Sequence, residues 1–211
     1  MLSNIKDFIL KHFDFRMYPV SWLTLLVALV MIPMVIYLDP YSKIGYENGL
    51  LENLQLGILF VGCWLEMKGK LDRKLACFIT MLLVIFIVRE VNCGRTLFFA
   101  IPGQENAFYS WKEIKYGYLA HPIFGLYIAW VVIYFLKNKI FLTLWNHIRE
   151  VRFPVWSVLL TTLGGALSLY SDKTMHNLVF EEMSEVLLYT GIVGLVWLYA
   201  YNKNFELKKG E

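Results

Sequence analysis

Glu52, Glu90, Glu182 and His176 are the side chains whose types could move protons, and each stands among other polar groups in a largely apolar chain. Carboxylates clustered in a poorly solvated setting separate in proton affinity, which is the condition for general acid–base work. Arg89 and Arg95, with Asn92 and Gln55, could bind an anionic or polar group of a substrate. His121, His176, Asp172 and Glu181, with Glu182 close by, mix imidazole and carboxylate. That donor set suits a divalent transition metal (Zn, Mn or Fe), with an open position to activate water. No H-E-x-x-H or comparable spacing is present, and the four-residue step from Asp172 to His176 serves equally as a ligand pair or a helix-end hydrogen bond. A haem between His121 and His176 would need the two on facing helices. Neither a Ser-His-Asp order nor a G-x-S-x-G turn occurs, so serine hydrolysis has no support. Cys93 near Glu90 could be a nucleophile, but Cys63, Cys77 and Cys93 form no C-x-x-C pair and lie in or beside apolar runs, where packing is the simpler role. The bland alternative is a structural network of Arg89 and Arg95 with Glu52, Glu90 and Glu182, the histidines being hydrogen-bonded at an interface.

Membrane helices must position these groups. The chain of 211 residues is 58% hydrophobic and only 18% charged, with a mean hydropathy of +0.52, so the bilayer is the expected solvent. A net charge of +3, without a basic run interleaved with aromatics, argues against nucleic acid. Six runs approach the ~20 apolar residues that a span needs: 20–38, 48–66, 75–93, 117–136, 154–170 and 182–201. The first is too long for the apolar core of a signal peptide and ends in Asp-Pro, so it should remain as a span. The expectation is an all-α, six-transmembrane-helix bundle, a single integral membrane domain over 1–211. Lys and Arg crowd the two tails, the loop with Lys68, Lys70, Arg73 and Lys74, and the loop with Lys137, Lys139, Arg149 and Arg152. Both termini are therefore expected in the cytoplasm. Residues 1–17 read as an interfacial amphipathic segment, with Leu2, Ile5, Phe8, Ile9 and Phe13 at helical spacing, and Ile140, Phe141, Leu144, Trp145 and Ile148 form a second such stripe.

On this topology the polar residues gather at one depth. The third span runs outward and ends in FIVREVNCGR, which places Arg89, Glu90 and Asn92 at the outer face. The second span runs inward and starts there with Glu47, Asn48 and Glu52, with Gln55 slightly deeper. His121 opens the fourth span, Asp172 follows the fifth, and Glu181, Glu182 and Glu185 open the sixth, with Tyr189 on the same side of that helix. A charge in hydrocarbon costs at least ~2.5 kcal/mol. Glu52 and Glu185 should therefore point into the bundle, toward Arg89 or Arg95. The midplane holds little beyond Thr80, Ser157, Thr161, Thr162 and Gly164-Gly165, whereas a permease should be polar or broken there.

YENGLLENLQ, REVNCGRTLF and KTMHNLVFEE resemble three motifs of an uncharacterised group of bacterial multi-spanning membrane proteins. There the first reads E-D-G-x-x-E-x-x-Q, the second E-E-I-S-W-G-Q-R, and the third contains L-H-N. Glu47, Gly49, Glu52 and Gln55 match the first; Glu90 and Gly94 match the second, from which Arg89, Asn92, Cys93 and Arg95 depart. His176 and Asn177 match the third, with Met175 in place of leucine. The resemblance spans the second to the sixth run and implies a bacterial inner-membrane protein with a shared outer-face site, but no reaction. The leading expectation is a membrane enzyme, metal-assisted or not, acting on a lipid, lipid-linked or extracytoplasmic substrate. A non-catalytic subunit that docks a membrane-protein partner or a second copy is the alternative, and a permease the third. The aromatic loop 96–116, with FFAIPGQENAFYSW, is expected to rest on the outer surface, where it could cover the site.

Overall fold

A computed structural model describes residues 12–175 and 177–205, apart from the side chains of Asp172 and Met175. Its helices are α1 (Pro19–Tyr37), α2 (Leu50–Lys68), α3 (Arg73–Glu90), α4 (Arg95–Phe98), α5 (Ala120–Lys137), α6 (Ile140–Glu150), α7 (Val155–Tyr170) and α8 (Leu178–Tyr201). Among the described residues, the only paired strands are β1 (Phe13–Asp14) and β2 (Phe153–Pro154), which run parallel. The chain is all-α. Helices α1, α2, α5 and α8 are long and apolar enough to cross a bilayer, and α3 with the bent segment after it makes a fifth candidate. Helix α7, with 16 residues, is shorter, although a π-helical turn at Ser171–Met175 carries the coil onward.

Capping residues explain where several helices begin. Pro19 stands at the first position of α1, where a missing N–H costs nothing. Asp72 accepts hydrogen bonds from Lys74 N and Leu75 N and so starts α3. Asn177 accepts from Phe180 N at 3.0 Å, which starts α8 at Leu178, four residues before the expected 182.

Helix α8 is the axis of the bundle. Fourteen of its 24 residues are buried, against Val131 alone in the 18 of α5. It packs most extensively on α7, α2 and α1, while α5 rests at the side against α3. Lipid supplies no hydrophobic drive between helices, so close backbone approach and hydrogen bonds must hold such a bundle. Both are present. A Cβ on Gly164 would stand 2.6 Å from Leu188 N, and one on Gly62 would stand 2.8 Å from Val193. The Ser21 and Ser157 hydroxyls lie 2.7 Å apart and join α1 to α7.

At the opposite end from the acids, Asp14 is buried, bonded to Arg16 at 2.6 Å and to the Tyr18 hydroxyl at 2.8 Å. The Arg16 guanidinium beside it lowers the Asp14 carboxyl to about 2. Phe13, the last member of the expected N-terminal stripe, lies in β1 opposite Phe153 rather than in an amphipathic helix; residues 1–11 lie outside the described residues. The second stripe forms α6 as expected, with Phe141, Trp145 and Ile148 exposed along it.

Candidate functional site

Glu182, Glu185 and Tyr189 follow one another at steps of three and four on α8, so they share a face, turned toward α2 and α3. Helix α2 brings Glu52 and Gln55 in its first turns, α3 brings Arg89 and Glu90 in its last, and α7 brings Ser168 near its end. These segments, far apart in sequence, meet in one layer. Arg89 Nη2 pairs with Glu185 Oε1, and Arg89 Nη1 donates to the Tyr189 hydroxyl at 3.1 Å. That hydroxyl donates in turn to Glu90 Oε1 at 2.5 Å, which lies 3.6 Å from Arg89 Nη1. Ser168 Oγ donates to the same Glu185 oxygen at 3.2 Å. Gln55 Nε2 donates to the Glu182 carbonyl at 2.9 Å and to its carboxylate at 2.7 Å, whereas Gln55 Oε1, fully buried, has no partner among the described residues.

The Glu90 and Glu185 side chains are 6% and 4% exposed, while Arg89 is 53% exposed. The guanidinium therefore reaches in from the edge of the bundle to carboxylates that are nearly enclosed. Of Glu52 and Glu185, the two acids expected to meet Arg89 or Arg95, Arg89 pairs with Glu185, because Glu185 and Tyr189 lie one turn deeper on α8 than Glu182, level with the end of α3. Glu52 is held otherwise. Gly49 caps α2, so Glu52 is at its third position, and its carboxylate accepts from Asn48 N. Thr96 Oγ1 adds a weak contact at 3.5 Å.

The stretch after Arg89 does not continue the helix to 93, as the hydropathy implied. Asn92, Cys93 and Gly94 all take left-handed backbone, at φ 44°, 53° and 88°, and the chain turns by 55° into α4. Gly94 adopts this freely, but Cys93 does so at a cost of ~1–2 kcal/mol. The turn sends Thr96 back beneath Glu52 and carries Arg95 to the rim, 3.6 Å from Glu47. With its amide oxygen turned toward Arg95, Asn92 accepts from that guanidinium at 2.8 Å. Arg95 and Asn92 thus serve the rim and not the acid layer. Backbone strain of this kind concentrates at functional sites.

Loop 96–116 folds back on itself through a bridge between Ala100 and Phe108. It docks on the entry to α2, where Asn106 Oδ1 accepts from Glu47 N at 3.0 Å and Glu105 pairs with Lys43 at 2.5 Å. The loop lies over the start of the helix that carries Glu52.

His121 does not join this layer. His121 is exposed in the first turn of α5, edge-on to Trp111 with ring centroids 5.6 Å apart. His176 and the side chain of Asp172 lie outside the described residues, and Glu181 is in the first turn of α8. Among the described residues, no group of three or more His, Cys, Asp or Glu is placed to hold a metal ion. An apolar cavity of about 680 Å³, walled by residues such as Leu82, Phe86, Leu144 and Ile192, is lined by none of the layer's residues. No protein-family model, curated protein or solved structure matches this chain.

Sequence reasoning missed Thr96 and Ser168 as partners and left Glu185 out of the catalytic set. Glu185 had a signal, its depth inside the span and its step of four to Tyr189. Thr96 and Ser168 had none, since a hydroxyl in an apolar helix is unremarkable until the facing helix is known.

Proposed function

We propose that this chain is a multi-pass protein of a bacterial inner membrane, with six spans and cytoplasmic termini, whose acid layer lies at the outer face. The layer carries acid–base chemistry on a lipid, lipid-linked or extracytoplasmic substrate. The observation that carries this reading is the imbalance of charge around the Arg89–Tyr189–Glu90 bridge: among the described residues, Glu52, Glu90, Glu182 and Glu185 share the layer with Arg89 as the one cation. A network that only held helices together would match its charges. An excess of carboxylates in a poorly solvated layer requires protons or a cationic group as partners. Glu90 and the Tyr189 hydroxyl form a short donor–acceptor pair along which a proton can pass, and Arg89 holds both in position. Gln55 Oε1 offers a further free acceptor at the same depth.

Glu90→Gln and Tyr189→Phe test this reading, because each preserves shape while removing one member of the donor–acceptor pair. Both variants are expected to reach wild-type abundance in membranes, within about 1–2 kcal/mol of wild-type stability, yet to fail in restoring the phenotype of a deletion strain. The competing reading is a non-catalytic subunit, with a membrane-protein partner or a second copy, and the internal pairing of Arg89 with Glu185 favours it. On that reading function tracks abundance in both variants. Full complementation by both would remove acid–base chemistry from the layer.

The orientation rests on the Lys/Arg asymmetry. Reporter fusions after Lys70 and Lys208 are expected to report cytoplasm, and fusions after Lys43 and Gly103 the outside. An outside signal after Lys70 would move the acid layer to the cytoplasmic face.

A further inference from the structure

At the end of α2 away from the acid layer, the chain buries another acid. Glu66 sits in the last turn of α2, 2% exposed, and neither carboxylate oxygen has a hydrogen-bond partner among the described residues. Buried carboxylates are normally paired, so such an exception calls for a ligand or a role. Neighbouring hydroxyls are committed elsewhere: Thr80 Oγ1 donates to the Ala76 carbonyl at 3.0 Å and Tyr127 to that of Met81 at 3.2 Å. Glu66 helps wall a cavity of about 600 Å³ between α2, α3 and α5, with Arg73, Thr80, Met81, Tyr127 and Trp130. The cavity opens at the flank of the bundle, where Met67 and Trp130 are 69% and 51% exposed.

We propose that this cavity binds a primary ammonium tethered to a phosphate, the chemistry of an aminophospholipid headgroup. Glu66 supplies the acceptors that the ammonium needs, and the Tyr127 and Trp130 rings favour an organic cation over a hydrated metal ion. Arg73, at the first position of α3, is the group for the phosphate. The volume is that of a small-ligand site. Depth fits as well. In the orientation proposed above this end meets the cytoplasmic leaflet, and Lys68, Lys70 and Lys74 flank the turn between α2 and α3, where anionic phosphates are drawn in. The flank of α5 beside the mouth is apolar and exposed, as acyl chains require. The site is independent of the chemistry assigned to the acid layer.

Native mass spectrometry of the full chain in detergent tests this, with dioctanoyl phosphatidylethanolamine, dioctanoyl phosphatidylglycerol and free phosphoethanolamine as probes. Phosphatidylethanolamine is expected to bind in preference to phosphatidylglycerol, and Glu66→Gln to weaken it about tenfold. Trp130→Leu, on the exposed rim, is expected to weaken it without loss of folding. Arg73→Gln should weaken phosphatidylethanolamine but leave dodecylammonium, which lacks the phosphate, unchanged. Free phosphoethanolamine binding as tightly as the lipid, and lost in Glu66→Gln, would support the ammonium–phosphate assignment with a soluble source. Equal binding of phosphatidylethanolamine by wild type and Glu66→Gln, or equal binding of the two lipids by wild type, would overturn the proposal and leave Glu66 a neutral buried acid.

Discussion

Gly164→Val is expected to destabilise the bundle by ~3 kcal/mol or more, whereas Gly165→Ala, one residue along the same helix, leaves stability unchanged. The contrast follows from what each side chain would meet. A Cβ on Gly164 stands 2.6 Å from Leu188 N and 2.9 Å from Leu188 Cα, so the obstacle is the backbone of α8 and cannot rotate away. A Cβ on Gly165 meets the Leu188 side chain at 3.5 Å, an ordinary contact. Gly191 repeats the first situation from the other helix, with Thr161 Cα at 2.9 Å. Valine at 164 must therefore push α7 off α8, and the helix that moves also carries Ser168, one turn on, which donates to Glu185. Separation of the two helices loosens the acid layer as well as the packing. Thermal unfolding in detergent reads the effect as a fall of roughly 10 °C, at ~2–4 °C per kcal/mol for a chain of this size. A Gly164→Val protein as stable as wild type would show that α7 does not lie directly on α8.

The convergence of acids on one layer was legible in the sequence because it depends on coarse quantities. Apolar run length sets where each helix starts and stops, and alternating direction then decides which ends meet. Errors of two to four residues in a boundary, as at Leu178, leave Glu182 and Glu185 at the same end of the bundle. Partner choice depends on finer things. Whether Arg89 meets Glu52, Glu182 or Glu185 turns on helix rotation and on a depth difference of one turn, neither of which hydropathy encodes. The break at Asn92–Gly94 was hidden for another reason. Asn and Gly visit left-handed backbone readily, but Cys93 between them does not announce three such residues in a row, so REVNCGR reads as the frayed end of a helix. Pairing of Phe13 with Phe153 was equally out of reach, since two residues of strand carry no period. Glu66 was passed over because a glutamate next to Lys68 at the end of a span looks like a solvated terminus. Its burial arises only in the assembled bundle, where α2 packs against α3 and α8.

Arg89→Met separates a working layer from a scaffold, because the residue is the only described cation that touches the enclosed acids. Its loss leaves Glu185, 4% exposed, with only the Ser168 hydroxyl against its charge, and frees Glu90 and Tyr189 from their common anchor. Breaking a buried pair from one side costs ~3–5 kcal/mol, and the half-exposure of Arg89 brings the expectation to the lower end of that range. A loss of that size depletes many proteins from the membrane. Glu185→Gln in the same chain removes the stranded charge and keeps the shape. The double variant is therefore expected to recover most of the stability, since two groups in direct contact do not contribute additively. Function then divides the alternatives. If Arg89 and Glu185 serve only to hold α3 against α8, the double variant restores both abundance and complementation. If they position a reacting layer, abundance returns while complementation stays lost, because the arginine that holds Tyr189 toward Glu90 is gone. Unfolding in detergent, membrane abundance and growth of a deletion strain are measured on the same four proteins: wild type, each single variant and the double. Wild-type stability in Arg89→Met would overturn the buried ion pair itself, and full complementation by the double variant would remove the pair from the chemistry.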